Sequence, residues 1–223
     1  MKLVDEKYNL KIAFKENVVH TLVIEKPDYF SDIINQLIRQ SESEAGDFVL
    51  SEENEPIRID KFLSVLVDPF RIDLNSRKVM HKIYHDLEEI AQDEIEMKGQ
   101  LNANSVALLD QIIGKSLYDQ LIFNFDFEWS DFFKLFHVRV DEEDLSFEEK
   151  LAAYIKILAQ ILNQKILCIV NGHDFYPQTT LKYLVKLAEY QKLNILFIEA
   201  REHEQIEGEC VTIIDKDRCL IMK

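Results

Sequence analysis

The chain is poor in glycine, proline and cysteine, with 5, 4 and 3 of these residues among 223. So little glycine and proline excludes collagen-like and low-complexity sequences. An odd number of cysteines without a C-x-x-C pair argues against a disulfide framework. Cys168 lies inside an apolar run, where a cysteine acts as a small apolar side chain. We therefore expect a reducing compartment and a cytoplasmic protein.

The sequence also lacks long apolar runs and an excess of positive charge. No apolar run reaches the ~18 residues of a membrane span, and the first residues lack the apolar core of a signal peptide, so we expect no membrane partner. The chain carries 26 Lys and Arg against 41 Asp and Glu, a net charge of −15. This charge argues against nucleic acid as a partner unless a local cationic surface forms in three dimensions or by oligomerisation.

The strongest structural pattern lies in residues 165–201. Two apolar runs, 166–170 and 195–198, do not alternate with polar residues, which is typical of strands buried on both faces. Between them, apolar residues recur three and four positions apart, as in an amphipathic helix. This order predicts a βαβ unit of a parallel sheet, and ligands gather where such strands end. The polar residues at these ends are Asn171, His173, Asp174, Glu199, Arg201 and Glu202.

The remaining patterns predict an α/β fold with an inserted α-helical leg. Apolar runs at 10–14 and 18–24 predict a β-hairpin or a pair of adjacent strands. Residues 76–123 show only helical periodicity, interrupted near Gly99 and the Asn102/Asn104 pair, which predicts two long helices. We therefore expect a head domain at 1–75 plus 124–223 and a leg at 76–123. Further strands are predicted at 48–50, 62–67, 137–140, 210–214 and 219–222.

The predicted order of strands and helices resembles that of a P-loop NTPase core, which makes nucleotide binding a candidate function. A phosphate-binding loop needs the pattern G-x-x-x-x-G-K-[ST], in which glycines let backbone N–H groups reach the phosphates. The Gly-Lys-Ser triplet at 114–116 has Leu109 at the upstream position and lies in a helical pattern. The sequence therefore predicts an NTPase-like scaffold without a functional Walker A motif. A degenerate nucleotide-binding phosphotransferase using Glu199 and Asn171 stays an alternative.

Three carboxylates near the end of the leg predict a metal site. Asp126, Glu128 and Asp131 lie within six residues, and carboxylates with carbonyl groups and water form calcium sites. Acidic triplets are also common on solvated surfaces, which is the competing interpretation. His81 and His85 share one helix face, but no cysteine is near, so a solvated face is favoured over zinc.

Basic residues are spread over the chain, with their densest stretch at the start of the leg. Each residue alone is ordinary surface, but as a group they can follow DNA phosphates without reading bases. The candidate DNA-contacting residues are Lys15, Lys26, Arg58, Lys61, Arg71, Arg77, Lys78 and Lys82.

Six segments, spread over nearly the whole chain, carry a resemblance through their combined order. They are 22–25 with the helix of Phe30, 73–76, 85–88, 125–128, 169–171 and 195–202. Taken in this order, they resemble the Csn2 family, the CRISPR-associated spacer-acquisition proteins of type II-A systems. One departure is the loop before the leg, which is lysine-rich in the family, whereas residues 51–58 here hold only one cation, Arg58.

The resemblance implies a head derived from the P-loop NTPase fold and a helical leg. It implies a homotetrameric ring whose lysine-lined hole holds duplex DNA and binds its free ends without sequence preference. It implies calcium ions that stabilise the ring, with Asp126 and Glu128 on the family's acidic motif. The implied partners are the two CRISPR integrase subunits and the effector nuclease, with no catalysis by the chain itself. A protein-only interaction module, binding partners through its acidic face, stays a further alternative.

Overall fold

The computed structural model describes residues 1–16, 18–118, 120–123 and 127–223. The chain divides into two compact units, a sheet unit formed by Met1–Leu74 with Glu142–Lys223, and a helical unit formed by Asn75–Asp141. The first boundary lies beside residue 75, where the sequence analysis also divides the chain. The second boundary differs, because residues 127–141 belong to the helical unit.

Strands and helices are interspersed along the sheet unit, and the helical unit contains helices but no strand in its described part. A 3₁₀ turn covers Pro69–Arg71, and a π-helical turn at Ile157–Ile161 continues helix α6. The strands are β1 (Lys2–Asp5), β2 (Leu10–Ala13), β3 (Val19–Ile24), β4 (Val49–Glu52), β5 (Glu55–Ile57), β6 (Leu63–Leu66), β7 (Ile166–Val170), β8 (Asn194–Glu199), β9 (Glu209–Ile214) and β10 (Leu220–Met222). The helices are α1 (Pro27–Ser41), α2 (Ile59–Phe62), α3 (Arg77–Ala91), α4 (Ile95–Ile113), α5 (Trp129–Leu135), α6 (Phe147–Lys156), α7 (Gly172–Phe175) and α8 (Gln178–Tyr190).

A six-stranded sheet with the order β10-β9-β3-β8-β7-β6 forms the centre of the sheet unit. All its neighbouring strands are parallel except β10, which pairs antiparallel with β9. The predicted βαβ unit is confirmed, because β7 and β8 are parallel neighbours connected through α8. The predicted strands at 210–214 and 219–222 are confirmed as β9 and β10, which pair as an antiparallel hairpin.

The predicted hairpin or pair of adjacent strands at 10–14 and 18–24 is wrong, because the two strands join different sheets. Strand β2 pairs with β1 in a four-stranded sheet of order β2-β1-β4-β5. Strand β3 is buried along its whole length and lies between β8 and β9. The physical reason is burial, since β2 alternates between buried and exposed residues and fits an antiparallel sheet with one solvated face.

The main core lies where α1 and both sheets meet. Ile33 and Leu37 of α1 pack in one cluster with Leu22 of β3 and Leu196 of β8. Cys168 of β7 belongs to the same cluster, and burial raises the pKa of its thiol far above the ordinary value. The prediction that this cysteine serves as a small apolar side chain is thus confirmed.

Polar contacts and aromatic packing organise the helical unit. The predicted strand at 137–140 is wrong, because the backbone of this segment forms hydrogen bonds with side chains of α3 and of the residues just before it, and not with a neighbouring strand. Asn75 exchanges two hydrogen bonds with the backbone of Val140, and the Tyr84 hydroxyl donates to the Val138 carbonyl at 2.9 Å.

The predicted break near Gly99 is wrong too, since α4 runs through it and helices α3 and α4 are separated at residues 92–94. Helix α5 packs its aromatic rings together, among them Trp129, Phe132, Phe133 and Phe136.

Candidate nucleic-acid interface

Three of the eight candidate DNA-contacting cations are neutralised by carboxylates of their own chain. Arg58 donates from Nε and from a terminal nitrogen to Asp60, at 3.0 and 2.5 Å. This guanidinium lowers the pKa of Asp60 to about 2. Arg71 lies 3.4 Å from Asp68, and Lys82 lies 2.5 Å from Asp86. These cations are therefore less available for phosphates than their sequence positions suggest.

The other five candidates form no ion pair with any carboxylate in the described part of the chain. Lys15, Lys26 and Lys61 belong to the sheet unit, whereas Arg77 and Lys78 lie in the first turn of α3 in the helical unit. Lys15 and Lys61 are exposed. The sheet unit thus contributes free cations, and two of them lie at one edge of the six-stranded sheet.

A row of lysines follows this edge, where the parallel strands begin and which we call the amino edge. Lys15 precedes β3, Lys192 precedes β8, and Lys165 directly precedes β7. Lys61, in α2, precedes β6. Because these four strands are consecutive neighbours and adjacent strands lie about 4.8 Å apart, the lysine row extends over roughly 14 Å. Lys165 and Lys192 are missing from the sequence-based candidates.

The backbone of the lysine row is fixed by hydrogen bonds between neighbouring strands. The Gln164 side chain, which is buried, donates to the Lys61 carbonyl at 3.1 Å. The Lys165 N–H donates to the Phe62 carbonyl at 2.9 Å, and Asn194 donates to the Lys165 carbonyl from both its backbone and its side chain. The spacing of the lysines is therefore built into the sheet.

A cavity of about 500 Å³ opens at the same edge. Lys15, Lys165 and Lys192 line it, and none of the three forms an ion pair within the described residues. Glu16, Glu52 and Glu189 also line the cavity. In a chain of net charge −15, this balance of cations and carboxylates marks the amino edge as locally much less acidic than the whole.

Two of the three predicted calcium ligands, Glu128 and Asp131, lie in the helical unit. Asp126 is outside the described residues. Glu128 precedes the first turn of α5 without capping it, and Asp131 is exposed and lies 3.0 Å from Lys134. Carboxylate oxygens suit calcium. The donor chemistry therefore fits the ion, although these two carboxylates are not gathered with a third among the described residues.

Helix α3 brings a further carboxylate to this segment. Glu88 accepts a hydrogen bond from the backbone N–H of Ser130 at 3.0 Å, next to Glu128 and Asp131. Sequence reasoning did not assign it here, since Glu88 is 42 residues from Ser130. On the exposed face of the same helix, the ligand atoms of His85, Asp86 and Glu89 lie within 4.8 Å of one another. Asp86, however, is engaged by Lys82.

The opposite edge of the sheet, the carboxyl edge, holds a buried carboxylate between two histidines. Glu199 is fully buried and accepts from the backbone N–H of His173 at 3.2 Å. One of its oxygens lies 2.9 Å from His173 Nδ1, and the other lies 3.5 Å from His203 Nε2. The two rings stack with centroids 5.0 Å apart. Glu199, which the phosphotransferase alternative needs, is thus held inside the protein by its neighbours.

The connection from β3 to α1 leaves no room for a phosphate-binding loop. Strand β3 ends at Ile24 and α1 begins at Pro27, so only Glu25 and Lys26 join them. The Gly-Lys-Ser triplet at 114–116 follows the end of α4 rather than a strand. Both observations agree with the predicted absence of a functional Walker A motif. No helix in the described part of the chain is both long enough and apolar enough to cross a membrane.

Comparison with known proteins gives a consistent family match. A family model described as CRISPR-associated protein (Cas_Csn2) matches residues 40–218. The chain is 23% identical to CRISPR-associated protein Csn2 of Enterococcus faecalis over 144 residues, which cover 62% of this chain and 64% of that protein. It is 23% identical to Csn2 of Streptococcus agalactiae over 163 residues, 71% of each chain. The chain thus spans less than two thirds of the length of the first relative.

A solved structure supports the fold. The crystal structure of Stu0660 of Streptococcus thermophilus superimposes with a TM-score of 0.61 at 12% identity. The superposition covers 96% of this chain and 75% of that one. At this identity the likeness concerns the fold alone, and it extends over both units described above.

Proposed function

The chain belongs to the Csn2 family of CRISPR-associated proteins, and from this premise we propose that it binds the ends of double-stranded DNA during spacer acquisition. It acts as a homotetrameric ring in the cytoplasm and holds DNA for the CRISPR integrase subunits and the effector nuclease. It performs no catalysis of its own. Calcium stabilises the ring.

The observation that carries the DNA-binding proposal is the lysine row of the amino edge. Its cations lie just before four neighbouring strands and are not consumed by ion pairs among the described residues. Duplex DNA carries about one charge per 1.7 Å of axis when both strands are counted, so a duplex segment as long as the row, roughly 14 Å, carries about eight charges. Lysine ammonium groups meet phosphates as point charges and read no bases. Binding is therefore expected to be independent of sequence.

Oligomerisation reconciles this row with the acidity of the chain. A closed ring repeats the same surface on every protomer, so a row of four lysines becomes sixteen around a tetramer. The acidic excess then faces away from the DNA. The net charge of −15 argues against DNA binding only for a protomer that acts alone.

The helical unit supplies the reason to self-associate. None of the nineteen residues of α4, all within the described part of the chain, is buried. Large apolar side chains on this unit are more than half exposed, and such exposure marks an interaction surface. A second copy of the chain is the partner we propose. The exposed side chains include Ile90, Ile95, Met97, Leu108, Ile112, Leu117 and Ile122.

For calcium we propose Asp126, Glu128 and Asp131 as ligands, with Glu88 as a further one. The support is the oxygen-only donor set and the contact between Glu88 and Ser130. Glu128→Gln and Asp131→Asn are expected to weaken calcium binding measured by calorimetry, and Asp110→Asn, on the exposed side of α4, is the matched control. Equal calcium binding by all variants would contradict the assignment of these residues as ligands.

The lack of catalysis is also open to test. The short connection between β3 and α1 and the buried Glu199 both speak against nucleotide chemistry. We expect ATP with magnesium to leave the melting temperature unchanged. A clear upward shift would favour the phosphotransferase alternative.

The lysine row is tested by binding of linear duplex DNA over a series of salt concentrations. The double variant Lys165→Gln/Lys192→Gln is expected to bind about tenfold or more weakly. Its salt slope should fall by about 1.8 per protomer, because each phosphate contact contributes about 0.9. Lys182→Gln/Lys216→Gln removes two exposed cations away from the amino edge and is the control. If both double variants lose affinity equally, the effect is net charge and the lysine row is not the interface.

A further inference from the structure

A second cationic cluster lies at the carboxyl edge, where β3 leads into α1. Lys26 donates from Nζ to the Tyr29 hydroxyl at 3.3 Å and lies 4.5 Å from the centre of its ring. Arg218, from the turn between β9 and β10, lies 5.0 Å from the same ring. Arg218 and, second, Lys26 lower the pKa of the Tyr29 phenol. Two cations from distant parts of the chain thus converge on one tyrosine side chain.

These two cations keep their charge free of ion pairs within the described part of the chain. Neither Lys26 nor Arg218 forms an ion pair with a carboxylate among the described residues, including Glu25 and Asp28, which flank Lys26 in the sequence. The neighbouring carboxylate, Asp32, accepts from Lys7 at 2.8 Å and from the Tyr8 hydroxyl at 2.8 Å. The cluster therefore keeps an excess of two positive charges in a chain of net charge −15.

Arg218 is held in place by its turn. The Asp215 side chain accepts from the backbone N–H groups of Asp217 and Cys219, at 2.8 and 2.7 Å. Arg218 itself has a φ of 66°, a left-handed conformation that favours glycine or asparagine. The guanidinium nevertheless remains exposed to solvent. The turn presents a cation at a position where the backbone alone would favour another residue.

We propose that Lys26, Tyr29 and Arg218 form a binding site for a phosphate monoester. The proposal rests on the proposed function, under which the monoester is the 5′-terminal phosphate of a DNA end. Arginine and lysine both bind phosphate, the former through its planar fork. Open α/β sheets bind ligands outside the carboxyl ends of their strands, which is where this cluster lies. Here side chains supply the donors, in place of the glycine loop that the β3–α1 connection lacks.

The charge of the cluster selects a terminal phosphate over an internal one. A monoester carries nearly two negative charges near neutral pH, as phosphorylated side chains do, and matches two cations. A phosphodiester within the DNA backbone carries only one. The site thus complements the lysine row, which lies at the opposite edge of the same sheet and meets internal phosphates.

The test compares linear duplexes of one sequence that carry either 5′-phosphate or 5′-hydroxyl ends. The wild-type chain is expected to bind the phosphorylated ends about tenfold more tightly, close to the lower end of the effect of one hydrogen bond to a charged group. Arg218→Asn removes the guanidinium at no backbone cost and should abolish this preference. Lys216→Asn, an exposed cation in the same turn, makes the same charge change and should keep it.

Calorimetry with inorganic phosphate provides a second readout that needs no DNA. Heat of binding that Arg218→Asn removes supports the site, even if DNA fails to bind and the proposed function falls. DNA that binds equally well with either end, together with no heat from inorganic phosphate, overturns the site while the proposed function stands. Loss of the preference in Lys216→Asn as well would assign it to net charge and also overturn the site.

Discussion

The two units of the chain differ in how far they bury their apolar side chains. The sheet unit buries the apolar side chains of β3, β7 and β8 along nearly their whole length, and α1 covers them. The helical unit leaves α4 without a buried residue within the described part of the chain. The sheet unit therefore has a core of its own, whereas α4 leaves its apolar side chains exposed. Under the proposed function, this difference assigns assembly to the helical unit and leaves the stability of one protomer to the sheet unit.

Truncation of one apolar side chain in each unit tests this difference in burial most strongly. Leu196→Ala, at a fully buried position of β8, is expected to lower the free energy of unfolding by about 2–5 kcal/mol. Ile112→Ala, at a position of α4 that is 56% exposed, should change it by less than about 0.5 kcal/mol. Urea unfolding of dilute protein measures both. Equal losses would mean that α4 packs within the protomer and would undo the comparison.

Alanine substitutions at two glycines test the same difference, with smaller expected changes in the free energy of unfolding. A Cβ at Gly172 would lie 2.9 Å from ring carbons of Phe197, so Gly172→Ala should destabilise the sheet unit by about 1–3 kcal/mol. A Cβ at Gly99 of α4 meets nothing within 4 Å. Gly99→Ala should therefore stabilise α4 by about 1 kcal/mol, the usual difference in helix propensity. Thermal unfolding would show opposite shifts. A loss for Gly99→Ala would reveal a close neighbour of α4 in the assembly.

The smallest expected effect concerns charge at the surface of the sheet unit. The pKa of Asp60 falls to about 2 beside Arg58, so this ion pair stabilises the fold above the ordinary carboxyl pKa of 3.8. The stabilisation is lost as the pH falls from about 4 to about 2. Surface pairs contribute about 0.2–1 kcal/mol, so Asp60→Asn should reduce the acid dependence of stability by that amount. Arg58→Gln should reproduce the effect, and a larger loss would mean that the sheet unit depends on more than its core.

The patterns that sequence reasoning interprets correctly are local ones. Continuous apolar runs identify β7 and β8, and the helical periodicity between them identifies α8. The lack of a phosphate-binding glycine loop is also visible from a short stretch of sequence. The β2–β3 hairpin fails because which sheet a strand joins depends on long-range pairing, with β1 for one strand and β9 for the other.

The candidate site depends on strand order, which a single sequence does not reveal. Lys15, Lys61, Lys165 and Lys192 form a row only because β3, β8, β7 and β6 are neighbours in the sheet. Each of these lysines precedes a strand, and that position is a signal visible in the sequence. Arg218 meets Lys26 through the parallel pairing of β3 with β9. Arg58, Arg71 and Lys82, by contrast, are paired with carboxylates only two to four residues away in the sequence, so local contacts remove them from the set of free cations.

The most direct test of the central claim compares linear duplex DNA with covalently closed circular DNA of the same sequence. Binding is measured at low salt, with and without calcium, while the mass of the complex is followed by sedimentation. A ring that is loaded from a free end predicts a tetramer that binds linear DNA and fails to retain closed circles. Equal binding to both forms by a monomer would contradict the account and leave only an open cationic patch.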